Sequence, residues 1–87
     1  MKIKEGFILR TVCDETLVVP VGEASVDFKN VIKLNETGAF LWKLLEQDTN
    51  VDEMTANLLN EYEADEETAR ADILAFCDRL DEAGILE

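Results

Sequence analysis

Apolar residues along this chain change their spacing at Asn35, from the period of a strand to that of a helix. Before that point, "GFILRTVC" and "TLVVPV" are rich in β-branched and large apolar residues, and they flank the polar pair Asp14-Glu15. That arrangement predicts a hairpin. Phe7, Leu9, Thr11 and Cys13 fall on one face of its first strand, with Ile8, Arg10 and Val12 on the other. Pro20 cannot donate to a ladder and belongs at a strand end or on an edge. "GEASVDFK" reads as a loop carrying Gly22, with Val26 and Phe28 as anchors to the core. A short third strand follows, from about Asn30 to Leu34.

After Asn35 the pattern is helical. Asn35 is a good N-cap, its side chain accepting from a backbone N–H one turn in. Phe40, Leu41, Leu44 and Leu45 then recur at helical spacing, with Trp42 on the flank. Gly38 inside this helix costs roughly 1 kcal/mol against alanine; it reads either as permitting close approach of a neighbouring element or as a tolerated defect. Asn50 and Glu53 have capping-box spacing at the start of a second helix, whose stripe is Val51, Met54, Leu58, Leu59 and Tyr62. Asp65 caps a third helix that starts near Glu66 and ends before Gly84, a natural residue just past a helix end. Ile85 and Leu86 are then expected to pack back onto the helices.

On the third helix, Ala69, Ile73, Phe76, Leu80 and Ala83 share one narrow face, the expected core. A second stripe, Arg70, Leu74, Cys77 and Asp81, is apolar in its middle and charged at both ends. It reads either as a margin of the core or as one half of a groove. The order is β-β-β-α-α-α: a single α+β domain over residues 1–87, three antiparallel strands with helices packed on one face.

Charge narrows the partners. The net charge is −12, all of it from residues 35–87, where three basic residues face fifteen acids; residues 1–34 hold five of each and sum to zero. A nucleic-acid binder needs a surplus of Lys and Arg for phosphates, and an anionic membrane surface needs the same. Neither partner is expected, which leaves a protein or peptide. Cys13 and Cys77 stand far apart, without neighbouring Cys or His, and read as reduced thiols that pack as small apolar residues in a cytoplasmic protein. The opening "MKIKEGFILR" is too short in its apolar run for a signal peptide, and no stretch approaches a membrane span. The chain has no histidine, the commonest general base and metal ligand. Gly-rich phosphate loops, CxxC pairs, EF-hand spacing and nucleophile elbows are all missing from the sequence. Ser25, which an acyl carrier would need at a helix start, falls in a loop. No catalysis, metal or cofactor is expected of this chain.

An edge strand remains. A short strand beside a helix is the arrangement used for β-strand addition, in which an extended peptide pairs with free backbone groups while flanking pockets select its alternate side chains. The amides near Ile32 are expected to be unpaired in the free domain.

"LVVP" followed by "IKLNETGAFLW", then "LLNEY" and "ADEETARADILAFCDRLDEAGIL", resembles the PqqD family of stand-alone recognition elements for ribosomally made peptide natural products. The likeness covers about residues 5–87. The Leu34-Asn35-Glu36-Thr37 junction and the ending from Asp72-Ile73 through Phe76 and Leu80 to Gly84-Ile85-Leu86 carry most of it. It implies a winged-helix-like domain that binds the leader segment of a precursor peptide and presents it to a modifying enzyme, often a radical S-adenosylmethionine enzyme. By that likeness the leader lies along Asn30, Val31, Ile32, Lys33 and Leu34. The stripe Arg70, Leu74, Cys77 and Asp81 forms the opposite wall, with Ile73 at its edge. A competing reading is a structural or regulatory subunit that docks by its acidic helical face. Self-association through the open strand, giving a homodimer, is a third.

Overall fold

In a computed structural model that describes residues 1–22 and 31–87, the order of elements follows the change of period at Asn35. Strands β1 (Phe7–Val12), β2 (Glu15–Pro20) and β3 (Ile32–Leu34) precede helices α1 (Glu36–Leu45), α2 (Val51–Glu61) and α3 (Glu66–Glu82). The expected anchors Val26 and Phe28, the site residue Asn30 and the loop serine Ser25 lie outside the described residues.

The sheet is antiparallel in the order β1-β2-β3. Its hairpin turns one residue earlier than the polar pair suggested. Cys13 and Asp14 occupy the turn, both at positive φ (51° and 65°), and Glu15 already pairs with Val12. Two left-handed residues in a two-residue loop make a type I′ turn, whose twist matches that of the strands it joins. This also corrects the reading of Cys13 as a packing residue. It is exposed in the turn, whereas Cys77 is buried. Pro20 ends β2, the central strand.

Phe7 and Leu9 pack partly against the core, and Val18 and Leu34 enter it fully. Ile8 and Val12 stay exposed on the outer face of the sheet.

Each helix is capped as its sequence dictates. The side chains of Asn35, Asn50 and Asp65 accept from the amides of Gly38, Glu53 and Thr68, at 2.7, 2.8 and 2.8 Å. Each bond satisfies one of the donors that a helix start leaves without a partner. The far end of α3 closes at Gly84, whose φ of 78° only glycine adopts without strain. The Gly84 amide donates to Asp81 and the Ile85 amide to Leu80, the paired bonds of a Schellman ending.

One packing expectation changes. Trp42, placed on the flank of its helix, is 1% exposed and central to the core, while Phe40 and Leu44 are only half-buried. The reason is that α1 is covered on more than one side. Its start meets α3 at Gly38, and its end is tied to the N-terminal segment, where the Ile3 amide donates to the Leu45 carbonyl at 2.9 Å. That segment also bridges Ile3 to Leu86, which fixes the chain's last residues. Ile85 and Leu86 are both buried, as their position after Gly84 implied.

Candidate functional site

The register of the hairpin determines which backbone groups of β3 face outward. In a two-residue hairpin the residues flanking the turn, here Val12 and Glu15, exchange both hydrogen bonds. Alternation then turns the amides and carbonyls of Glu15, Leu17 and Val19 toward β1, and those of Thr16 and Val18 toward β3. Thr16 stands opposite Leu34 and Val18 opposite Ile32. The main-chain groups of Ile32 and Leu34 are therefore the ones that bond to β2. Those of Lys33 point away from the sheet, and those of Val31 follow the same alternation. The expectation of unpaired amides near Ile32 moves by one residue, onto Lys33.

Beside that open edge lies a cleft of about 550 Å³. Lys33, Leu34 and Asn35 form its sheet side, and Thr37, Gly38 and Leu41 of α1 its base. The opposing wall comes from α3 and consists of Asp72, Ala75, Phe76 and Arg79. Gly38 lets the two helices meet there. A Cβ at this position would stand 3.4 Å from the Phe76 ring and 3.2 Å from Asn35 Oδ1, the atom that caps the helix. The close approach expected of Gly38 is the approach of Phe76.

The predicted site residues divide. Lys33 and Leu34 line the cleft, Ile32 is half-buried against the core, and Val31 is exposed just before β3. Ile73 is wholly buried in the core. Arg70, Leu74, Cys77 and Asp81 do not line the cleft. Arg70 reaches Asp52 of α2 at 2.9 Å, Leu74 and Asp81 are exposed, and Cys77 is buried. At about 100° per residue, this stripe and the cleft wall flank the core face of α3 on opposite sides. Burial pushes the Cys77 thiol above its ordinary pKa, and the neighbouring charge of Asp78 adds to the effect.

Sequence reasoning missed Asp72, Ala75 and Arg79. Their spacing with Phe76 repeats one helical face, but an equally regular face existed on the other side. The signal that could have separated the two was Gly38, which marks where α1 admits a bulky neighbour.

Electrostatically the cleft differs from the rest of the molecule. It carries Lys33, Asp72 and Arg79 on a chain of net charge −12. Lys33 Nζ is held 2.8 Å from Glu15 Oε1 within the sheet. Asp72 and Arg79 have no side-chain hydrogen bond or ion pair among the described residues. A second cleft of similar volume lies across the β3–α1 junction. It runs between the hairpin tip at Asp14 and Glu15 and the edge-to-face pair Phe40–Tyr62, whose centroids are 5.5 Å apart. Among the described residues no cluster of three or more His, Cys, Asp or Glu could hold a metal. No helix among them is long and apolar enough to cross a membrane.

Comparison with curated protein sequences gives no match. Two solved structures share the fold. TbiB1 in complex with the TbiA(beta) leader peptide superposes with a TM-score of 0.78 at 24% identity, over 100% of this chain and 95% of that one. Lasso peptide synthetase B1 complexed with the leader peptide gives 0.74 at 19%, over 97% and 93%. The family model for coenzyme PQQ synthesis protein D (PqqD) matches residues 14–86, nearly the whole chain, and the chain belongs to that family.

Proposed function

We propose that this protein is a non-catalytic recognition element that holds the leader segment of a ribosomally made precursor peptide as an added strand on β3 and presents it to a modifying enzyme. The carrying observation is an outward-facing main chain at Lys33 beside a cleft walled by α3. Backbone pairing supplies sequence-tolerant affinity, and the cleft takes alternate side chains of the guest. Both structural neighbours hold a leader peptide, and family membership supports the same use here. In this reading the protein works in the cytoplasm, and the receiving enzyme is of the radical S-adenosylmethionine type that the family likeness implies.

Strand β3 has three residues and turns only one of them, Lys33, fully outward. Main-chain pairing is therefore short, and the cleft has to supply most of the discrimination. The test is amide exchange by NMR with the leader of any precursor peptide found encoded beside this chain. The Lys33 amide exchanges freely in the isolated protein and slows on adding leader, while the amides of Ile32 and Leu34 are protected throughout. If the leader binds with steep salt dependence and leaves Lys33 unchanged, the contact lies on the acidic helices and the proposal fails.

A further inference from the structure

The charges of the cleft go further than its shape. Asp72 and Arg79 stand seven residues apart on α3, so both lie on one line along the helix, two turns and about 10 Å apart. Ala75 and Phe76 sit between them, facing Leu34 on the sheet side and Leu41 in the base, both nearly fully buried. Neither charged side chain has an ion-pair partner among the described residues. Elsewhere on the same helix the situation differs, since Arg70 is engaged by Asp52 at 2.9 Å and by Glu66 at 3.9 Å. The cleft thus presents an apolar centre with an unengaged cation at one end and an unengaged anion at the other.

An extended guest on β3 turns every second side chain toward this wall. Residues i and i+2 of a strand are about 6.6 Å apart, and i and i+4 about 13 Å. Residue i+3 points to the opposite face. The rise of about 10 Å between the two helix positions is met by i and i+4 once the long side chains of Arg79 and of a basic guest residue lean along the groove, with i+2 falling over Ala75 and Phe76.

Resting on the reading of β3 as a strand acceptor, we propose that the cleft selects a peptide segment with an apolar residue flanked two positions away by an acid on one side and a base on the other. The acid meets Arg79, the base meets Asp72, and the apolar side chain covers Phe76. Arg79 and Asp72 are the specificity-determining residues. They fix the register of the guest, which three residues of strand cannot fix by backbone pairing alone. They also admit an acidic group to the surface of a chain whose net charge of −12 would otherwise repel it.

The experiment needs no known partner. A library of randomised decapeptides, displayed on their own messenger RNA, is selected on the purified full chain at low salt and in parallel on Arg79→Glu and Asp72→Lys. Both substituted positions are exposed, and circular dichroism checks that each variant folds. Peptides with an acid, an apolar residue and a base at alternate positions are expected from the unmodified chain. The selected acid becomes a base on Arg79→Glu, and the selected base becomes an acid on Asp72→Lys. A single peptide selected on the unmodified chain should lose about tenfold in affinity on either variant and regain most of it when its matching charge is reversed. Enrichment of peptides that slow exchange at Lys33 but show no charge pattern would overturn this selection rule and leave the strand-acceptor reading intact. Enrichment of no peptide that slows Lys33 would overturn both.

Discussion

The two flanks of α3 contain the same kinds of residue and do different things. One holds Asp72, Ala75, Phe76 and Arg79, and the other Arg70, Leu74, Cys77 and Asp81. Each has one arginine, one aspartate and two apolar residues. The first faces β3 and the start of α1 across a cleft, while on the second Arg70 is paired with α2. A helix flank becomes a wall only where an element with free main chain stands opposite. On the second flank the cation is already engaged within the fold, and the large apolar side chain, Leu74, faces solvent at 47% exposure.

The two flanks should differ most at their most buried members, Phe76 and Cys77. Phe76 joins the cleft wall to α1 through Gly38, so Phe76→Ala removes both core packing and the apolar part of that wall. We expect a loss of about 3–5 kcal/mol in urea unfolding. Cys77→Ala, which removes one sulfur from the other flank, should cost about 1 kcal/mol. Equal losses would mean that Phe76 is no more a joint than Cys77.

Next in size are two neighbouring exposed positions. Ala75→Asp places a charge at the apolar centre of the cleft, and Leu74→Asp places one about 100° away on the other flank. Each should change stability by about 0.5 kcal/mol or less. Leader affinity by calorimetry should fall about tenfold or more for Ala75→Asp and less than about twofold for Leu74→Asp. The reverse order would put the guest on the Arg70–Asp81 flank. A smaller effect separates the cysteines. A thiol reagent at neutral pH should label Cys13 in the folded protein and reach Cys77 only on unfolding, because Cys77 is buried with a raised pKa. Prompt labelling of both would show that α3 opens on its Cys77 side.

Much of the fold was legible because its signals are local. Asn35, Asn50, Asp65 and Gly84 each mark a helix boundary by their own chemistry, and the structure uses all four as expected. The core face of α3 was legible too, since Ala69, Ile73, Phe76 and Leu80 repeat at helical spacing and are all buried. The side of α3 that meets β3 was not, because periodicity gives a face but not its neighbour. Register was hidden for a similar reason. Whether Ile32 or Lys33 turns its amide outward depends on the parity set at Cys13-Asp14, some twenty residues upstream. A shift of the turn by one residue exchanges the two.

The smallest expected effect tests whether both flanks depend equally on the start of their helix. The Asp65 carboxylate accepts from the Thr68 amide at 2.8 Å and from its hydroxyl at 3.0 Å. These bonds, the amide foremost, hold the Asp65 pKa below the usual carboxylate value. A carboxylate with a lowered pKa in the folded state stabilises fully above its unfolded pKa, near 4, and loses that contribution as pH falls through its folded value. Replacing Asp65 by asparagine keeps a side-chain acceptor but removes the titration. Asp65→Asn should therefore melt below the unmodified protein at pH 6, with the gap closing as the pH approaches 3. A gap independent of pH would show that the cap acts by shape and not by charge. Because Asp65 sets the first turn that both flanks share, leader affinity should follow helix stability in this variant, with no change in the charge pattern preferred between Asp72 and Arg79.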